Sequence, residues 1–179
     1  HAYSEKTIIE LPFDLEKTKK VAFSEIANSL KKNLVPDCML TLSHIKKISF
    51  SIEGVQGRRV LKKTIRVLGQ GIQDITLTES LGESIPVKTK LVAFVSSDEK
   101  PTMIAYKVGE SGGIKSILPI SHTYLYAYFP TAVETHQSFY IHAPFDTTPA
   151  RDNIRINGYN KELVNTVAEL FKKSVIWLR

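Results

Sequence analysis

From Ile45 to His142 the chain is built on a period of two, broken only at glycine- and proline-rich points. Ile48, Phe50 and Ile52 alternate with Lys47, Ser49 and Ser51, the pattern of a strand with one buried face, because successive side chains on a strand point to opposite sides. Gly54–Gly57, Gly69/Gly71, Gly82–Pro86 and Ser96–Pro101 punctuate the run, since glycine and proline end regular pairing. Strands are therefore expected over 58–68, 72–79, 87–95 and 102–108, with GESGG (109–113) as a loop, and again near 123–129 and 138–142. A short strand at 7–11 (TIIEL) precedes them, stopped by Pro12.

Helical spacing appears only towards the ends. Asp14 can cap a helix near 15–32, in which Leu15, Ala22, Ile26 and Leu30 recur at helical intervals, with Lys17, Lys20, Lys31 and Lys32 mostly elsewhere. Pro36-Asp37 can start one more helical turn through Leu42. A last helix is expected over 159–177, with Leu163, Val167, Leu170, Phe171 and Ser174 on one face. Strand, helix, many meandering strands, helix implies an α+β fold: a mostly antiparallel or mixed sheet packed against helices in a two-layer sandwich.

The chain has 179 residues, enough for one ordinary domain. No apolar run reaches the roughly eighteen residues a membrane span needs, and HAYSEKTIIELPF lacks the apolar core of a signal peptide. Cys38 is the single cysteine, which excludes an internal disulfide and fits the reducing cytoplasm. The formal net charge of +6 tilts the chain mildly towards anionic partners. A chain that opens on His1 and closes in the apolar VIWLR reads as one piece of a longer protein.

Several motifs bear on chemistry. Gly109-Glu-Ser-Gly-Gly-Ile-Lys115-Ser116 looks at first like a phosphate loop, but Ile114 separates glycine from lysine and Leu118-Pro119 opposes the helix such a loop must open. The histidines (His1, His44, His122, His136, His142) show no metal-ligand spacing with one another or with Cys38, and Cys38 reads as a buried, inert thiol. Arg58, Arg59, Lys62, Lys63 and Arg66 could meet a nucleic-acid backbone or form an ordinary solvated strand. Tyr124, Tyr126 and Tyr128 alternate on one strand, as a base-stacking platform does, yet the sheet-based RNA-binding signature is absent and packing beneath a helix is the better reading.

The densest polar cluster is Asp146, Thr147, Thr148, Arg151, Asp152 and Asn153, around Pro149. Thr147, Thr148, Asp152 and Asn153 can support a tight loop through hydrogen bonds. Arg151 either ties that loop down or presents its planar fork to a phosphate. The residues alone leave both readings open.

Four segments together, TIIELPF (7–13), LTLSHIKKISFSI (40–52), YLYAYFPT (124–131) and FYIHAPFDTTPARDNI (139–154) followed by Tyr159-Asn160, resemble the region that follows the ATP-binding domain in sacsin-like proteins of the GHKL ATPase superfamily. In order and spacing the likeness covers most of the chain. That superfamily's nucleotide pocket needs an E-x-x-x-N helix and a D-x-G-x-G motif. Glu25 and Asn28 are only three apart, and no aspartate is followed by x-Gly. The resemblance thus implies the second, transducer-like domain, with residues 1–13 as linker or closing strand of an upstream domain and 14–179 as one domain of the fold of ribosomal protein S-five domain two.

The resemblance further implies a non-catalytic role for this piece: coupling ATP binding and hydrolysis upstream to movement, in a chaperone-like or defence-associated protein. ATP and magnesium belong to the upstream domain, which is the implied partner, and a homodimer is left open. Transducer domains of this kind supply a basic residue to the γ-phosphate, where developing charge needs a counter-ion. The resemblance puts Arg151 in that role, with Lys115 as the rival. A basic nucleic-acid-binding module, using Arg58, Arg59, Lys62, Lys63 and Arg66, is the alternative of a different class.

Overall fold

A computed structural model of the chain describes residues 16–52, 54, 57–97 and 99–179, with side chains from residue 23 onward. It divides into two compact units, residues 1–34 and 35–179. The first contains helix α1 (Glu16–Asn33), which carries Lys31 and Lys32 in its last turn, the charge its C-terminal dipole favours. The strand expected at 7–11, the linker or closing strand expected at 1–13 and the Asp14 cap lie outside the described residues.

The second unit is the α+β fold expected from the alternation. A 3₁₀ turn (Pro36–Met39) leads into β1 (Lys47–Phe50), β2 (Arg59–Gly69), β3 (Ile72–Leu81), β4 (Val87–Val95), β5 (Met103–Ser111), β6 (Ile114–Leu118), β7 (Tyr124–Ala127), β8 (Phe129–Glu134) and β9 (Tyr140–His142). Helix α2 (Gly158–Trp177) ends the chain. The nine strands form one sheet in the order β1-β2-β3-β4-β5-β9-β7-β8, with β6 also on β5. All pairings are antiparallel except β7 with β9. One flank of β5 is shared: Met103–Ala105 pair with β9 and Lys107–Ser111 pair with β6.

Two details differ from the expectation. GESGG is not a five-residue loop. β5 runs through it to Ser111, Gly112 and Gly113 turn with φ of 58° and 80°, and Ile114 pairs with Ser111. Two left-handed residues in a two-residue turn match strand twist, so the segment is a hairpin, and no helix follows Lys115. Gly109 sits inside β5 because the Leu118 side chain lies over it: a methyl group there would come within 2.9 Å of Leu118 Cδ1. The strand expected near 123–129 breaks at Tyr128, whose φ is 66°. The Tyr128 carbonyl accepts from the Thr41 hydroxyl and its ring meets that of His142 at 5.3 Å, so the chain reverses into β8.

The period of two now has a physical address. Helix α2 covers one sheet face, where Ile72, Val92, Phe94, Ile104 and Tyr106 pack with Leu170, and Leu125, Ala127, Ala143 and Phe145 pack with Leu163. Phe139 stacks on Phe171 at 5.5 Å. Tyr106 O–H reaches the buried Ser174 Oγ at 2.7 Å, and Ser174 donates to the Phe171 carbonyl. On the opposite face the turn around Cys38 and Met39 lies against β2 and β3. There Tyr140 O–H donates to Asp37 at 2.5 Å, and Tyr126 meets Tyr140 edge to face. Burial and the nearby Asp37 carboxylate hold both phenols far above their usual range. Burial, with Asp37 beside it, also raises the Cys38 thiol, which makes it a poor nucleophile. No helix among the described residues is long and apolar enough to cross a membrane.

Candidate functional site

The polar cluster around Arg151 folds into a closed loop. Arg155 N–H donates to the Asp146 carbonyl, Thr147 bridges Ile154, and Thr148 N–H donates to the Asn153 carbonyl. Thr148 Oγ1 donates to Asp152 at 2.5 Å and Asn153 Oδ1 accepts from Ile154 N–H at 2.8 Å. Thr148 also accepts the Arg151 N–H through its carbonyl at 2.9 Å, which closes the tip. The short polar side chains thus satisfy backbone groups that a loop without sheet partners would leave open.

Helix α2 anchors this loop from below. Asn157 caps the helix, accepting from Asn160 N–H at 2.8 Å, while its Nδ2 donates to Asp146 Oδ2. Asn160, buried, accepts from Asp146 N–H and donates to the carbonyls of Asp146 and Arg155. Tyr159 O–H donates to the Pro144 carbonyl. The Asn-Gly-Tyr-Asn start of α2 is therefore a clamp on the loop before it.

Arg151 joins the loop to the β7–β8 corner. Its backbone is left-handed, with φ 58°, and its carbonyl accepts from Ala132 N–H. Its Nη2 donates to the carbonyls of both Ala127 and Phe129 at 2.9 Å, the two residues that flank Tyr128. Among the described residues Arg151 pairs with no carboxylate: Asp152 is held by Thr148 and Asp146 faces Arg155 at 3.7 Å. A half-buried guanidinium is thus fixed in place by neutral dipoles, with its charge paired to no anion among the described residues.

The rival cation, Lys115, lies elsewhere. It stands exposed on β6 at the rim of a cleft of about 810 Å³ on the α2 face of the sheet, beyond the helix C-terminus. Trp177, Val108 and Val92 give that cleft an apolar wall and floor, and Arg66–Asp74 and Lys90–Glu110 ion pairs line it. Arg151 and Lys115 belong to separate sites.

The five basic residues of the nucleic-acid reading are not gathered into one stripe. Lys62 and Arg66 point to the α2 face, and Arg66 is paired with Asp74. Arg59 and Lys63 point to the other face. Arg59 pairs with Glu79 at 2.5 Å and lies over the Phe50 ring. Lys63 is buried, donates to the carbonyls of Leu40 and Leu42, and has its pKa lowered by burial. Arg58 donates to Ser49 Oγ at 2.7 Å.

One grouping escaped the sequence reading. His122 and His136 both place Nδ1 near Glu134 Oε1, at 3.3 and 3.8 Å, because β7 and β8 pair around Thr123 and Thr135, whose hydroxyls meet at 2.7 Å. Among the described residues no group of three His, Cys, Asp or Glu side chains has the arrangement of a metal site. The TYLYAYFPTAVET hairpin was the available signal, but without its register the two histidines look unrelated. Comparison of the chain with protein-family models, curated proteins and solved structures found no match.

Proposed function

We propose that this chain is the transducer-like middle domain of a sacsin-like GHKL ATPase, of the ribosomal protein S-five domain-two type. It performs no catalysis alone and couples ATP binding and hydrolysis in an upstream domain to movement, in a cytoplasmic chaperone-like or defence-associated protein. The observation that carries this reading is Arg151. Its guanidinium is held by two carbonyls and, among the described residues, lacks a carboxylate partner. A charge placed so is pre-organised for an anion arriving from outside the domain, and its planar fork suits phosphate oxygens. The likeness of FYIHAPFDTTPARDNI and the following Asn160 to the sacsin-like motif supports the same role, and the motif's residues form one hydrogen-bonded unit.

In this reading ATP is the substrate of the upstream domain, and Arg151 meets its γ-phosphate only when the domains dock. Contact made in one state and broken in another converts nucleotide state into shape. The test is turnover by the longer polypeptide carrying the upstream domain. Arg151→Ala is expected to cut turnover by about one to several orders of magnitude. Thr148→Ala, which loosens the same loop but leaves the guanidinium, is expected to cost far less. Equal losses in the two variants would reduce Arg151 to a loop tie, and ATP turnover by this chain alone would remove the non-catalytic assignment.

A further inference from the structure

Among the described residues strand β6 has one partner and one open edge. Its register with β5 is unbroken from Ser111–Ile114 to Lys107–Leu118. The two-residue turn makes Ser111–Ile114 a hydrogen-bonded pair, so Gly109–Ser116 and Lys107–Leu118 are hydrogen-bonded too, and the alternate residues Lys115 and Ile117 turn their N–H and C=O groups outward. β5 obeys the same parity, since Val108 pairs with Lys90 of β4 on its other side. Among the described residues nothing accepts from or donates to the outward backbone groups of Lys115 and Ile117.

All five residues of β6 are exposed, with Ile114 at 74%. Open edges are normally blunted by charge, proline, a bulge or a covering loop. β6 contains no proline and no bulge, and Lys115 is its only charge. Its sequence, Ile-Lys-Ser-Ile-Leu, also suits pairing with itself. An antiparallel copy related by a two-fold axis at Ser116 sets Lys115 opposite Ile117 and Ile114 opposite Leu118, so no like charges face each other. In that register the outward groups of Lys115 and Ile117 are the ones that exchange hydrogen bonds. Glu110, across from Lys115 on β5, is the opposite charge nearest in register to the lysine, though its carboxylate pairs with Lys90.

We infer that β6 is a self-association edge, at which two copies of this chain join their sheets through antiparallel β6–β6 pairing centred on Ser116. The contact is isologous and closes as a dimer rather than a filament. Its short length makes it a weak interface, formed at micromolar or higher concentration.

Sedimentation equilibrium of the 179-residue chain over rising concentration reads the association. Ile117→Pro removes an outward donor while leaving every β5–β6 hydrogen bond in place, which edge strands tolerate, and is expected to yield a monomer with an unchanged thermal midpoint. Ser116→Cys places two thiols at the two-fold axis, where opposed Cα atoms of a non-hydrogen-bonded pair stand about 4.5 Å apart, within disulfide range. That variant is expected to form a crosslinked dimer under mild oxidation, while Ile114→Cys is not, because Leu118 of the other copy faces it. Cys38 is buried and does not compete. A wild-type chain that stays monomeric, a dimer that survives Ile117→Pro, or equal crosslinking at 114 and 116 would each overturn the inference.

Discussion

The side-chain amide of Asn160 pairs with the peptide of Asp146 on both edges, accepting from its N–H at 2.9 Å and donating to its carbonyl at 2.8 Å. Asparagine here imitates a neighbouring strand. It completes the backbone of Asp146, and its second donor bond, to the Arg155 carbonyl at 2.7 Å, holds the loop's two ends together.

Replacing Asn160 with alanine strands the part-buried Asp146 N–H and the Arg155 carbonyl, while the Asp146 carbonyl keeps the Arg155 N–H. The expected loss is about 2–4 kcal/mol, from the cost of unsatisfied buried polar groups, and the thermal midpoint should fall by roughly 5–15 °C for a domain of this size. Asn160→Asp should recover little, because it keeps the acceptor but faces both carbonyls with a carboxylate. Thermal unfolding by circular dichroism decides, and a midpoint within a degree or two of wild type would contradict the clamp.

Arg151 combines a left-handed backbone with two carbonyl contacts. Alanine removes the contacts and keeps the backbone cost. Glycine removes both. Arg151→Gly is therefore expected to be more stable than Arg151→Ala by about 1 kcal/mol, an unusual order for the two residues. Chemical denaturation of the pair reads the difference directly.

His142 is buried against Tyr126 and Tyr128, with Nδ1 3.1 Å from the Tyr126 carbonyl. Burial lowers its pKa below 6.5, opposed only in part by that carbonyl. As pH falls below 6.5, the unfolded chain takes up a proton that the folded chain refuses. Stability is therefore fully present above 6.5 and declines on acidification towards the folded pKa. His142→Gln should flatten that part of the stability–pH curve. An unchanged slope between pH 7 and 5 would assign it to other groups.

Tyr106 and Ser174 form a buried relay that ends on the Phe171 carbonyl. Tyr106→Phe should cost about 1 kcal/mol, because Ser174 keeps its acceptor. Ser174→Ala leaves the phenol without a partner and should cost about 1–3 kcal/mol. The double variant should cost clearly less than the sum of the two. Additive losses would mean that the two hydroxyls act independently.

Much of this architecture can be read from local pattern. Val87–Val95 runs over the very residues where alternation puts it, and of the face expected on α2, Leu163, Leu170 and Ser174 are buried, Val167 is half-buried and Phe171 is exposed. These follow from period alone, since a side chain's burial on a regular element depends on its own position in the repeat. β6 was missed for the converse reason. Its glycine-rich approach looks like a loop, and only the Leu118 side chain lying over Gly109 makes glycine fit mid-strand.

The local chemistry of the Arg151 cluster is written in its residue types: threonine, aspartate and asparagine at a proline turn bond the loop tip to itself. Where its arginine reaches is not so written. Ala127 lies 24 residues away in sequence, and only the parallel pairing of β7 with β9 brings its carbonyl under the guanidinium. The same holds for Lys62 and Lys63, adjacent in the chain yet one solvated and one buried, because sheet register sends neighbouring side chains to opposite faces and tertiary packing covers only some of them.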